Sequence, residues 1–159
     1  MKKGGGVKNG VCIMMGSKSD LPHAQRMGDT LKEFGVGYEY RVASAHRTPS
    51  KIMELVKELE KENGVIIAIA GLSNALSGMV AGISSIPVIT CPPNADDLLS
   101  SLRMPPGVAH ATVLDPKNAA LLAVKILALN DKSLKTKIKG YLKAQQEKIE
   151  RADEEVKRL

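Results

Sequence analysis

The chain has 159 residues, a length that fits one domain and lets a chain bury roughly two thirds of its unfolded surface. With 43% hydrophobic and 25% charged residues its composition is globular, which excludes collagen-like, wholly disordered and disulfide-scaffold classes. One Phe, three Tyr and no Trp leave few rings for stacking on single-stranded nucleic acid, and the formal charge of +6 sits at the ends: residues 9–130 hold eleven basic and eleven acidic side chains, so no nucleic-acid partner is expected.

In chain order, residues 1–8 with their three lysines and the glycines at 4–6 are expected to be a disordered start. Short β-branched or apolar runs then alternate with helical stretches as far as residue 129, the pattern of a parallel sheet covered on both faces. Five strands are predicted: Val11–Met15, Tyr38–Val42, Val65–Ala70, Pro87–Thr90 and Ala111–Leu114. The third is apolar without alternation, so it belongs at the centre of the sheet. Between the strands, Leu21, Ala24, Met27, Leu31 and Phe34 mark one buried helix face, and Ile52, Val56 and Leu59 another. Asp115-Pro116 caps a helix over Lys117–Leu129 whose apolar residues run almost all round, which predicts deep packing.

Residues 131–159 are polar, yet Ile138, Leu142, Ile149, Ala152, Val156 and Leu159 form a narrow stripe of near-heptad spacing, interrupted at Gln145. Such a seam needs a partner surface. The segment could fold back on its own domain, but following a complete five-strand unit over residues 9–130 it is expected to be a helix packing on a neighbouring subunit. Cys12 and Cys91 fall in or beside strands, with no metal-ligand spacing, and read as buried thiols of a reducing compartment. No apolar run approaches the ~18 residues of a membrane span, and MKKGGGVKNG has no apolar signal core. A cytoplasmic protein with no membrane partner is expected.

Ligands of open parallel sheets bind beyond the carboxyl ends of the strands, which directs attention to four loops. Gly16-Ser17-Lys18-Ser19-Asp20 precedes a helix at Leu21-Pro22; its small residues suit either an anion at the helix N-terminus or simple capping. Ser44-Ala45-His46-Arg47-Thr48-Pro49 places a hydroxyl, an imidazole and a guanidinium within four residues. Arg47 can pair with phosphate through two parallel hydrogen bonds, and His46 is suited to proton transfer. His23 and His110 lie outside these loops. Gly71-Leu72-Ser73-Asn74-Ala75-Leu76-Ser77-Gly78 allows close backbone approach, to a ligand or simply around a tight turn. The fourth loop runs Cys91-Pro92-Pro93, Asp96-Asp97, then Ser100 to Gly107. Its paired acids lack a third ligand, so no metal is expected.

Taken together, Met15–Asp20, Ser44–Pro49, Ser73–Gly78, Ser100–Pro105 and Asp115–Leu122 resemble the phosphoribosylaminoimidazole carboxylase family of purine biosynthesis, over about residues 9–150. The resemblance implies a three-layer α/β/α sandwich with a central parallel sheet, flavodoxin-like, plus a long C-terminal helix that reaches over a neighbour in a homo-octamer. It also implies a cofactor-free enzyme. One branch of the family rearranges N5-carboxyaminoimidazole ribonucleotide as a mutase; the other carboxylates aminoimidazole ribonucleotide with CO2. Mutases of the family typically carry a loop like GGAAHLPGM, where this chain has Ala75 in place of the second histidine. Ser73–Gly78, Cys91-Pro92-Pro93 and Ser100–Pro105 look like the carboxylase branch, whereas Arg47 is the mutase-like version of a position where that branch often has Lys.

By the same resemblance Ser17, Ser44 and Arg47 would hold phosphate, Asp20 the ribose hydroxyls, and Gly71 and Ser73 the base or the CO2 pocket. The substrate's amine makes its ring an enamine, so C4 can attack CO2 without biotin, metal or ATP. What remains is removal of the C4 proton, and His46 is the one candidate acid/base in these loops with a near-neutral reference pKa. The alternatives are the mutase, and a non-catalytic nucleotide-sensing module on the same fold.

Overall fold

A computed structural model describes residues 9–159; the expected disordered start, residues 1–8, lies outside the described residues. Five parallel strands form one sheet in the order β2-β1-β3-β4-β5. They are β1 (Val11–Met15), β2 (Tyr38–Val42), β3 (Val65–Ile69), β4 (Val88–Thr90) and β5 (Ala111–Thr112). Every residue of β1 and β3 is buried, as their unbroken apolar runs require, and β3 takes the central place. Each such aliphatic side chain contributes ~1.5–3 kcal/mol by leaving water.

The helices are α1 (Leu21–Phe34), α2 (Pro49–Leu59), α3 (Ala75–Ile83), α4 (Leu99–Leu102), α5 (Pro116–Leu127) and α6 (Lys132–Val156). Alternate residues of the buried strands divide the core in two. Val11, Ile13, Met15, Ile67 and Ile69 pack with α1 and α5, whereas Cys12, Met14, Ile66 and Ala68 pack with α2 and α3. That is the three-layer flavodoxin-like sandwich expected from the sequence. Tight contact fixes the α1 layer: a Cβ on Gly28 would collide with the Tyr40 hydroxyl and the Tyr38 ring. Helix α1 then stops at Gly35, whose φ of 70° lets Val36 N–H reach back 2.9 Å to Leu31 O.

Three expectations need correction. Strands β3, β4 and β5 are shorter than their apolar runs, β5 most of all, because it pairs with β4 only through Ile89↔Ala111 and Thr90↔Thr112. Helix α5 is not buried all round: Ala119, Ala120, Ala123 and Val124 are fully buried, but Leu121, Leu122, Ile126 and Leu127 are only partly so, and Leu129 beyond its end is 70% exposed. One side of a helix suffices to cover the sheet, and the other remains open in the single chain.

The tail stripe also divides. Asp131 caps α6, its carboxylate accepting from Ser133 N–H at 2.8 Å and Leu134 N–H at 3.1 Å. Leu134 and Ile138 then bury into the same chain's core, Tyr141 packs on Phe34 with ring centroids 5.4 Å apart, and Lys137 Nζ donates to Phe34 O at 2.7 Å. Leu142, Ile149 and Val156 remain exposed. Of the expected stripe only Ile138 therefore belongs to this intramolecular seam, beside Leu134 and Tyr141, which lie outside the stripe; the last eighteen residues, about 27 Å of chain where helical at the usual rise, carry the unpartnered remainder.

Candidate active site

In a sheet of this order the β1–β2 connection runs to one side of β1 and the β2–β3 connection crosses back to β3 on its other side, so a crevice opens at the carboxyl ends of β1 and β3, where the direction of winding reverses. A cavity of about 340 Å³ lies there. It is lined by three loops: Gly16 to Asp20 after β1, Ser44 to Arg47 after β2, and Ala70 to Leu76 after β3. Ser17, Asp20, Ser44, His46, Arg47, Gly71 and Ser73 all line it; the sheet topology brings every expected site residue to one hollow.

The first loop is pre-shaped. Asp20 Oδ2 accepts from Ser17 N–H at 3.1 Å, and Ser17 Oγ accepts from Ser19 N–H at 3.3 Å and from Ser19 Oγ–H at 2.9 Å. Because both of those bonds enter the Ser17 oxygen, its own proton is left to donate to a ligand. Capping and anion binding, open alternatives in the sequence, are thus compatible uses of one hydroxyl. Asp20 Oδ1 would lie 3.3 Å from a Cβ on Gly71, so any side chain at 71 would press on that carboxylate.

The second loop is a turn closed by Thr48: its N–H donates to Ser44 O at 2.8 Å and its Oγ1 accepts from Ser44 N–H at 2.9 Å. Arg47 folds back across the mouth, Nε donating to Ser44 Oγ at 3.4 Å and Nη2 to Gly16 O at 3.3 Å. Those long contacts bridge the two loops and leave donor capacity for an incoming anion. Helices α1, α2 and α3 all begin beside the cavity, so their positive dipole ends add to the guanidinium charge. The third loop supplies the apolar part, Ala70, Leu72, Ala75 and Leu76; Leu72 is 86% exposed.

His46 is the one imidazole in the lining. His23 instead faces Cys91, with Nε2 3.4 Å from Sγ, and burial lowers its pKa. Cys91 and Cys12 are buried, as expected, and burial pushes both thiols up to about 12. His110 is half-buried beside β5, its pKa also lowered by burial. Among the described residues no group of three or more metal-capable side chains forms, and no helix is long and apolar enough to cross a membrane.

Sequence reasoning missed some of this. Ser19, Ala45, Leu72, Ala75 and Leu76 also line the hollow; they lie inside the quoted loops but carry little polar signal, Ser19 apart. The fourth loop does not line it but packs on the third, Pro93 Cγ lying 3.9 Å from the position of a Cβ on Gly71 and Ser100 Oγ accepting from Asn74 N–H at 2.9 Å.

A cavity at the switch point of a doubly covered parallel sheet, with loops offering hydroxyl and guanidinium donors on one side and a small apolar wall on the other, marks an α/β protein with the kind of cleft that suits a small anionic ligand. The profile of the AIR carboxylase family matches residues 10–148, and the chain belongs to that family. Membership makes it an enzyme of purine biosynthesis, of the carboxylase and mutase kind, rather than a sensing module. It is 44% identical over 161 residues to a phosphoribosylaminoimidazole carboxylase of Archaeoglobus fulgidus, with 98% of this chain and 88% of that protein covered. It is 47% identical over 156 residues to an N5-carboxyaminoimidazole ribonucleotide mutase of Methanocaldococcus jannaschii, covering 94% and 98%. The crystal structure of Treponema denticola PurE superposes with a TM-score of 0.88 at 44% identity, covering 91% of this chain and 96% of that one.

Proposed function

We propose that the protein carboxylates aminoimidazole ribonucleotide directly with CO2, giving the 4-carboxy product. The observation that carries this reading is the third wall of the cavity, where Ala75 stands in place of a second histidine and Ala70, Ala75 and Leu76 offer a small apolar surface. Ser17, Ser44 and Arg47 bind the phosphate, Asp20 accepts from the ribose hydroxyls, and Gly71 and Ser73 border the base and CO2. The electron pair of the enamine forms the new C4–carbon bond, CO2 becoming the carboxylate. His46 then takes the C4 proton, and the C–H electrons restore the aromatic ring. The protein's part is to hold CO2 beside C4, which is chiefly an entropic task, and to supply the base.

Purified protein with aminoimidazole ribonucleotide and isotopically labelled bicarbonate, without ATP, is expected to place label in the C4-carboxylate at a rate matching or exceeding turnover of the N5-carboxy isomer. Turnover of the isomer alone would overturn the reading. That second outcome is the mutase, which Arg47 favours and which the name of the Methanocaldococcus relative carries.

The single chain also leaves surface to be covered. Leu142, Ile149 and Val156 on α6, Leu129 behind α5 and Leu72 at the cavity mouth are all exposed, a pattern that supports α6 packing on a neighbouring subunit; the homo-octamer and the cytoplasmic location of this proposal rest on the family resemblance and the composition. Light scattering at micromolar concentration is expected to give a mass near eight times 17.0 kDa; a monomer would contradict the assembly.

A further inference from the structure

We infer that Ser100, outside the cavity, is a positioning residue for the reaction: through Asn74 it holds the wall from Gly71 to Leu76 in place, as a clasp. Ser100 sits on α4, beyond β4, and is absent from the cavity lining. Its Oγ accepts from Asn74 N–H at 2.9 Å and donates to Asp97 O at 2.7 Å, so both ends of the hydroxyl are committed. Asn74 is 5% exposed, and its Oδ1 accepts from Ser77 N–H at 3.2 Å to cap α3. Ser77 Oγ in turn donates to Thr90 Oγ1 at 2.6 Å, both side chains being fully buried.

A continuous run of polar contacts therefore leads from β4 through Ser77 and Asn74 to Ser100 and Asp97. The same α4 segment is pinned from the other side, Thr112 Oγ1 donating to Ser101 O at 2.9 Å, and Met104 lies 3.4 Å from the position of a Cβ on Gly78. Among the described residues, the wall positions before Asn74 have no such hydrogen-bonded anchor beyond the turn in which Ala75 N–H reaches Ser73 O at 2.8 Å. Without the Ser100 oxygen, Asn74 N–H loses its acceptor in a nearly buried place, and the wall relaxes away to find another. The phosphate-holding loops, after β1 and β2, are not part of this chain of contacts.

This rests on the reading that the wall encloses CO2, and it predicts a selective defect. Ser100→Ala is expected to lower kcat/KM for CO2 roughly ten-fold while KM for the nucleotide stays within about two-fold, since the lost contact lies outside the phosphate loops. Ser100→Thr, which keeps the oxygen, restores most of the activity. Ser100→Cys keeps the volume with a weaker acceptor and reads the same defect should the alanine variant lose its fold. Equal CO2 dependence in wild type and Ser100→Ala, a nucleotide KM that rises in step, or a threonine variant no better than alanine would each overturn the clasp. Wild-type protein is assayed beside them on both aminoimidazole ribonucleotide with bicarbonate and the N5-carboxy isomer. If it uses only the isomer, the carboxylase reading fails separately, and the clasp is judged on the isomer by the same split, kcat falling with nucleotide KM unmoved.

Discussion

Replacing His46 by asparagine is expected to lower turnover by about 10²–10⁴-fold, the range over which a positioned acid or base acts. Asparagine keeps the turn and can still hydrogen-bond, but it cannot take the C4 proton. On the proposed reading binding rests on other residues that line the cavity: the Ser17 hydroxyl, the Ser44 turn, Arg47 and the three helix N-termini beside it. Nucleotide affinity by calorimetry is therefore expected to change by no more than a few-fold. His46 lies in a turn whose shape is fixed by Thr48, through its 2.8 Å bond to Ser44 O, so the substitution removes a proton acceptor without dismantling the loop. The other two histidines cannot stand in for it: His23 is engaged with Cys91 and neither His23 nor His110 reaches the cavity. A near-normal rate in the labelled-bicarbonate assay would end the assignment of proton transfer to His46.

The layout of the site was legible because each part of it is local in sequence. A strand, a loop of small or hydroxyl residues and a helix start follow one another three times, and the parallel topology brings their loop ends together without further instruction. The apolar runs of β1 and β3 likewise announce burial on both faces. What could not be read depends on distance along the chain. The bond from Asn74 N–H to Ser100 Oγ spans 26 residues, and neither residue carries a periodic or compositional mark of it. The tail shows the same limit: Leu134 and Tyr141 dock α6 on its own domain through Phe34 and its neighbours, yet the near-heptad stripe read from the sequence contains neither, because their partners lie about a hundred residues earlier in the chain. Helix α5 looked buried all round because a helix that faces a sheet on one side and an open surface on the other can be apolar on both.

Arg47→Ala is expected to raise KM for the nucleotide roughly 10–100-fold, because hydrogen bonds to an ionised partner are the strong ones and two can be lost together. The same guanidinium bridges Gly16 O and Ser44 Oγ at 3.3 and 3.4 Å, long contacts that a phosphate would strengthen or replace. At saturating nucleotide, kcat is expected to stay within a few-fold, since on the proposed reading Arg47 binds the part of the substrate that does not react. Added inorganic phosphate, which should compete with nucleotide in the wild type, is expected to compete far less in the variant. Arg47→Lys separates charge from shape: the ammonium keeps the attraction but not the planar fork, so its KM should fall between wild type and alanine. It also addresses the branch of the family, because the carboxylase branch often has lysine there. If direct carboxylation is the activity, Arg47→Lys retains it and leaves the ratio of CO2 fixation to isomer turnover unchanged or higher. An alanine variant with unaltered KM would remove Arg47 from the phosphate site. A lysine variant that gained CO2 fixation from a wild type lacking it would identify the guanidinium as what holds the chain to the mutase reaction.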